Sequence, residues 1–359
     1  MGETAISWTH RPGTKGRTWN PTKGCSRVSE GCRHCYAERQ AARIVRMHKG
    51  KPTVYDDLVK TVNGEARWTG KVVLVPKILA EPLGWKEPST VFVNSMSDLF
   101  HEDLTNEQIA AVFGVMAACP QHTFIVLTKR AKRMREWFKW ASTDRGCSTD
   151  MFMQQCAANL GVDIPLHRIK GTFKAFSWPL PNVWLGVSAE NQAAADERIP
   201  ELLATPAAIR LLSCEPLLGR LDLTLRGSRI KEWDEDWKYD TLRGFEWASP
   251  HSEVEEGSSP SLDWVIAGCE SGPGARPCAT SWLWDLRDQC ADAGVPFFLK
   301  QAHPWTWAAG DPPPGHARDD GRGAITAGPG SHRKAGGVIE LPYLDGVQHK
   351  AFPESKVPR

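Results

Sequence analysis

Six short apolar runs alternate with stretches of helical period, and this alternation constrains the fold more than any other feature of the chain. The runs are 90–94 (TVFVN), 123–128 (TFIVLT), 182–187 (NVWLGV), 208–213 (AIRLLS), 263–267 (DWVIA) and 296–300 (PFFLK). Short, apolar and rich in β-branched residues, they read as buried strands of a parallel sheet. Helical stretches lie at 105–118, 131–140, 192–204 and 281–293. Thr105 and Gln108 open the first as a capping box, and Gly294 closes the last. Parallel neighbours need a crossover connection, so these repeats build βαβ units. The expected fold class is α/β, a partial or complete (β/α) TIM-like barrel over residues 1–302, and the 359-residue length suits it. Residues 146–176 and the polar stretch 225–260 read as insertions. The Gly/Pro-rich residues 303–359 read as a loosely ordered C-terminal extension. No apolar run is long enough to span a bilayer and the N-terminus lacks a signal pattern, so a cytoplasmic protein with no membrane partner is expected. The formal net charge of +2 gives no bulk attraction to nucleic acid and leaves only local basic patches for that role.

Residues 18–36, TWNPTKGCSRVSEGCRHCY, carry Cys25, Cys32 and Cys35 in the spacing C-x6-C-x2-C. Thiolates are soft ligands that select zinc, copper(I) or iron–sulfur clusters. A structural zinc site closes with four protein ligands. Only three cysteines are offered here, with His34, His10 and His48 as candidates for a fourth ligand. A cubane cluster held by three cysteines would instead leave one iron open to a substrate or cofactor. Asn20-Pro21, Gly24 and Gly31 supply turns that let backbone wrap closely around such a core. A short strand is expected at residues 18–19. A helix over 36–48 would put Cys35 at its N-terminus, where the macrodipole favours an anion. The other seven cysteines form no C-x2-C pair and read mostly as small buried packing residues.

Ligands of such folds bind at the C-terminal ends of strands, and every strand here ends in polar or charged residues. They are Ser95, Ser97 and Asp98; Lys129 and Arg130; Ser188 and Glu190; Ser213, Cys214 and Glu215; Cys269, Glu270 and Arg276; and Lys300 with Gln301. Each alone suits a helix cap or a solvated loop; six in register suggest a site. Asp98 with Ser95 and Ser97 offers acceptors for an ammonium, and Lys129 offers a cation for a carboxylate. An amino-acid-like cofactor needs both.

The chain resembles the phage Gp37/Gp68-like (DUF5131) family, read as radical S-adenosylmethionine proteins. The stretches that carry the likeness are TWNPTKGCSRVSEGCRHCYAER, VFVNSMSDLFHED, HTFIVLTKR, NVWLGVSAENQ, SCEPLLG, WVIAGCESGPGARP and PFFLKQ, spanning about residues 18–301. More distantly, the NP-x-x-GC lead-in, SMSD and TK resemble spore photoproduct lyase. The common radical S-adenosylmethionine spacing is C-x3-C-x2-C, so the six-residue gap is a departure. His34 stands where an aromatic is usual, and Cys269 stands where the family is expected to carry glycine. The resemblance implies a barrel of the radical S-adenosylmethionine type and a [4Fe–4S] cluster on Cys25, Cys32 and Cys35. S-adenosylmethionine would bind the fourth iron, held by Ser95, Ser97 and Asp98 at its amine, Lys129 at its carboxylate, and Ser188 with Glu190 at carboxylate or ribose. A flavodoxin-like external donor would supply the electron.

The same resemblance points to a nucleobase substrate in DNA or a nucleotide, such as a hypermodified thymine of phage DNA, handled in the host cytoplasm. Arg130, Glu215, Glu270 and Arg276 are the candidate substrate-binding residues. Cys214 and Cys269 are candidate hydrogen-atom donors, with buried packing as their plainer role. Lys129, Arg130, Lys132, Arg133 and Arg135 form a basic cluster followed by Trp137 and Trp140, a pattern that suits either a strand-binding groove or a solvated helix over core tryptophans. Two other classes remain: a DNA-repair lyase of the photoproduct lyase type, and a non-catalytic, zinc-stabilised nucleic-acid-binding protein.

Overall fold

The computed structural model describes residues 3–48, 50–144, 147–165, 178–227, 237–247, 259–303, 325–334 and 337–354. The chain is mixed α/β and divides into two compact units. One comprises residues 1–186, 205–208 and 356–359; the other comprises 187–204 and 209–355.

In the first unit β1 (Lys15–Trp19), β2 (Ser89–Val93) and β3 (Thr123–Thr128) pair in parallel, with Trp19 opposite Val93 and Val91 opposite Phe124. Their helices are α1 (Tyr36–Met47), α2 (Asn106–Ala117), α3 (Ala131–Ala141) and α4 (Thr149–Asn159). The expected capping box opens α2: Thr105 Oγ1 accepts from Gln108 N at 3.2 Å, and Gln108 Oε1 accepts from Thr105 N at 3.0 Å. Residues 109–117 of α2 are all buried. The insertion expected at 146–176 contains α4; its residues 146 and 166–176 lie outside the described residues. The unit boundary falls within β4 (Val183–Ser188).

In the second unit α5 (Gln192–Leu203) precedes β5 (Ile209–Cys214), β6 (Trp264–Gly268), α6 (Thr280–Asp292) and β7 (Phe297–Ala302). β5, β6 and β7 pair in parallel and in chain order. Parallel strands taken in chain order with helices between them are compatible with a partial β/α barrel.

The insertion expected at 225–260 carries an antiparallel sheet of Thr224–Arg226, Lys238–Asp240 and Phe245–Trp247; its residues 228–236 and 248–258 lie outside the described residues. One expectation changes: the described part of the C-terminal extension is ordered. Ile339–Glu340 pairs antiparallel with β7, Glu340 opposite Gln301, and His332–Arg333 pairs on its far side. Phe352 packs on Trp264 and Phe298. The added strand satisfies main-chain groups that β7 would otherwise expose along an edge. Composition rich in glycine and proline does not reveal that pairing. Among the described residues no helix is long and apolar enough to cross a membrane.

Candidate metal centre

The cysteine loop leaves β1 and is clamped by the segment that leaves β2. Asn20 Oδ1 accepts from Ser95 Oγ at 3.1 Å and from Met96 N at 2.9 Å. Thr22 Oγ1 meets Ser97 Oγ at 2.8 Å, and Ser97 Oγ donates to Thr22 O at 2.9 Å. Thr22–Lys23 also pairs with Val73–Leu74. Gly24 lies at φ +89°, and a Cβ there would stand 2.2 Å from Lys71 O. The turn into Cys25 therefore requires glycine on two counts, backbone conformation and space. Ser95 and Ser97, expected to contact a cofactor, hold this loop in place.

The six-residue gap between Cys25 and Cys32 is pinned from two sides. Ser26 Oγ accepts from Arg130 Nη2 at 2.7 Å and lies 2.9 Å from His101 Nε2. His101 Nδ1 accepts from Asp103 N at 3.2 Å, which leaves Nε2 of the neutral ring to donate to Ser26. Burial and Arg130 both hold the His101 pKa below its ordinary value, favouring that neutral ring. Arg27 makes a two-pronged ion pair with the buried Glu38 of α1, its Nε donating to Oε1 at 3.0 Å. Glu38 Oε1 also accepts from Trp68 N at 3.0 Å. A short 3-10 turn over Glu30–Cys32 then delivers Cys32 and Cys35.

The three thiols are half-buried and close enough to act on one another's charge. Cys25 and Cys35 pack against an apolar floor of Ala37, Ala41, Tyr55, Leu58, Trp68 and Met96. Burial and then the Asp98 carboxylate push the Cys25 thiol up to about 12, while the Arg130 guanidinium, its Nη1 3.9 Å from Sγ, pulls it down. Burial also raises Cys35, opposed by the backbone N–H groups of Ala37 and Glu38 that open α1. Among the described residues no group of three His, Cys, Asp or Glu side chains stands at the spacing of a single metal ion. The donor set does fit an iron–sulfur group: soft ligands, a dry floor, and N–H donors aimed at sulfur.

The other predicted residues of this unit are near the loop. Asp98 is buried and accepts from Thr128 Oγ1 (2.8 and 2.9 Å), Phe100 N (3.0 Å), Lys129 N (3.2 Å) and Arg130 Nη1 (3.2 Å). Arg130, expected at the substrate, points inward to Asp98, Glu102 and Ser26. Burial pulls its pKa down, but Asp98, Cys25 and Glu102 outweigh that and hold it above its ordinary value. Lys129 is half-buried, and its ammonium makes no ion pair among the described residues. Trp137 is buried against Phe113 and Phe138, so it serves the core and is not an exposed stacking platform.

In the second unit the predicted residues are largely satisfied internally. Glu190 is buried and pairs with Arg198 at 2.9 Å, and Arg198 also donates to Ser188 O at 2.7 Å. Glu270 accepts Arg276 through both carboxylate oxygens (2.7 and 3.1 Å) and accepts Arg276 N at 2.8 Å. Arg276 thus folds the GPGAR turn back onto β6. Glu215 pairs with Lys300 at 3.0 Å. Cys214 and Cys269 are buried, and Cys269 contacts Cys278, a cysteine that spacing alone did not single out. His101, Glu102, Ser26 and Glu38 were also missed as loop anchors. The one available signal was the position of His101 and Glu102 just after SMSD.

Parallel βα units with a three-thiol loop leaving β1 define an α/β protein bearing a candidate soft-metal centre. The chain belongs to the DUF5131 family, described as a protein of unknown function, which it matches over residues 3–353. No curated protein matches the chain. No solved structure matches it.

Proposed function

We propose that this chain is a radical S-adenosylmethionine enzyme that holds a [4Fe–4S] cluster on Cys25, Cys32 and Cys35 and acts on a nucleobase-type substrate, a modified thymine of phage DNA. One observation carries the reading: a single pinned loop holds three thiols close together, and two of them, Cys25 and Cys35, rest on an apolar floor, Cys25 with an N–H donor from Arg130 and Cys35 with N–H donors from the start of α1. Bound there, the cluster with S-adenosylmethionine would supply a 5′-deoxyadenosyl radical able to abstract a substrate hydrogen, with the electron coming from a flavodoxin-like donor. Lys129, without an ion-pair partner among the described residues, is the cation for the cofactor carboxylate. Asp98, occupied by four donor groups, fixes the backbone of Lys129 and the guanidinium of Arg130. The apolar floor excludes water from the side of Cys25 and Cys35 that packs on it.

Anaerobic reconstitution with iron and sulfide tests this. The expected result is a brown protein with about four irons per chain that releases 5′-deoxyadenosine on reduction with S-adenosylmethionine. A colourless protein carrying one zinc and inert toward S-adenosylmethionine would overturn it. For the substrate, nucleosides from phage DNA made with and without the gene are compared by mass spectrometry. Identical nucleosides would remove the base-modification reading while leaving the radical chemistry standing.

A further inference from the structure

The geometry points to Arg130 as a positioning residue of the metal centre, one that ties down the widened loop after Cys25 and gives the Cys25 sulfur a charged N–H donor. The inference rests on the cluster reading above and deepens it. All three nitrogens of the guanidinium are engaged. Nε donates to both oxygens of Glu102 at 2.9 Å. Nη1 donates to Asp98 Oδ2 at 3.2 Å and reaches Cys25 Sγ at 3.9 Å. Nη2 donates to Ser26 Oγ at 2.7 Å and to Ser26 O at 3.3 Å. A planar fork can satisfy partners in several directions at once; a lysine ammonium on a flexible stem cannot reproduce that.

The arrangement has two consequences. The first is mechanical. A longer first gap lets Cys25 drift relative to Cys32 and Cys35 unless the chain just after it is held, and Arg130 holds Ser26 by both side chain and main chain. The second is electrostatic. The side chain of Arg130 is only 4% exposed, so water screens its charge little, and it offsets part of the larger, opposite effect that the Asp98 carboxylate has on Cys25. A cation and N–H donor at a ligand sulfur stabilises the more negative, reduced state of an attached cluster and so raises its potential.

The test uses the full-length chain, reconstituted anaerobically as wild type, Arg130→Lys, Arg130→Met and Ser26→Ala. Iron content, midpoint potential and Fe–S(Cys) stretching frequencies are measured. Arg130→Met is expected to shift the midpoint to a more negative value, with Arg130→Lys restoring part of the shift. Both should raise a Fe–S(Cys) frequency as the hydrogen bond to Cys25 is lost. Ser26→Ala should lower iron retention with a smaller change of midpoint. If Arg130→Met does not fold, Arg130→Lys and Ser26→Ala decide the matter. Folded, cluster-loaded variants with wild-type midpoint, frequencies and iron retention would overturn the role of Arg130 and leave the cluster reading intact. A wild type that takes up no iron would instead fell the cluster reading and this inference with it.

Discussion

The cysteine loop of the first unit and the buried cysteines of the second stand in opposite surroundings. In the first, Cys25, Cys32 and Cys35 sit half-buried on a loop outside regular strands, with a guanidinium and helix-opening N–H groups close to sulfur. In the second, Cys214, Cys269, Cys278 and Cys290 are buried at strand ends, in the loop after β6 and in α6. There burial pushes Cys214 and Cys278 well above the ordinary thiol range, and neighbouring thiols add to the shift. Among the described residues no cation is seen to oppose either shift. Buried thiols without such compensation behave as small apolar groups. The difference teaches that proximity of sulfurs is common to both groups, whereas N–H donors and a cation beside the sulfur, which the proposed ligand set calls for, accompany only the loop thiols among these.

The largest expected effect breaks the comparison at its centre. Cys32→Ala should abolish iron uptake on reconstitution, whereas Cys269→Ala should retain it, as read by iron and sulfide content. Equal loss in both would mean that the buried thiols share in metal binding.

A second pair compares two tight glycine turns. Gly24→Ala meets both a left-handed backbone and Lys71 O, and should lower the stability of the apoprotein by about 3 kcal/mol. Gly274→Ala, at φ +72° with open space around its Cβ, should cost about 1 kcal/mol. Urea midpoints check this; similar shifts would show that the cysteine loop is less tightly held than its contacts indicate.

The smallest effect concerns protons. His349, in the second unit, has its pKa lowered by burial and then by Arg287. The unfolded ring takes up a proton near its ordinary value of about 6.5, while the folded ring resists. Stability should therefore fall as pH drops through that value, because the unfolded chain binds more protons there. His349→Gln should flatten this slope in apoprotein melts recorded as a function of pH. An unchanged slope would leave the slope to other groups, His101 of the first unit among them.

Much of the architecture was legible in the chain. Apolar runs such as TFIVLT and DWVIA became parallel strands close to their expected bounds, and the Thr105/Gln108 capping box formed as read. These features are local, set by side-chain period and backbone donors within one turn. The C-terminal extension was not legible, because Ile339–Glu340 gains its structure only by pairing with β7, some forty residues earlier. The candidate site divides in the same way. The spacing of Cys25, Cys32 and Cys35 placed three thiols on one loop by itself, and the structure holds them close together. That Arg130 turns inward to Ser26 and Cys25, or that Glu270 absorbs Arg276, was beyond the sequence. An arginine after a strand reads alike whether it meets a substrate or a buried carboxylate.

By itself the sequence determined the order of the main parallel strands and their helices, the three-cysteine spacing, and the glycine that the loop needs, all short-range consequences of residue chemistry. Only the tertiary structure decided which charges were left for a ligand and which were spent on one another. That choice depends on carboxylates such as Asp98 and Glu102, about thirty residues from the arginine they bind, and on how far burial strips each group of water.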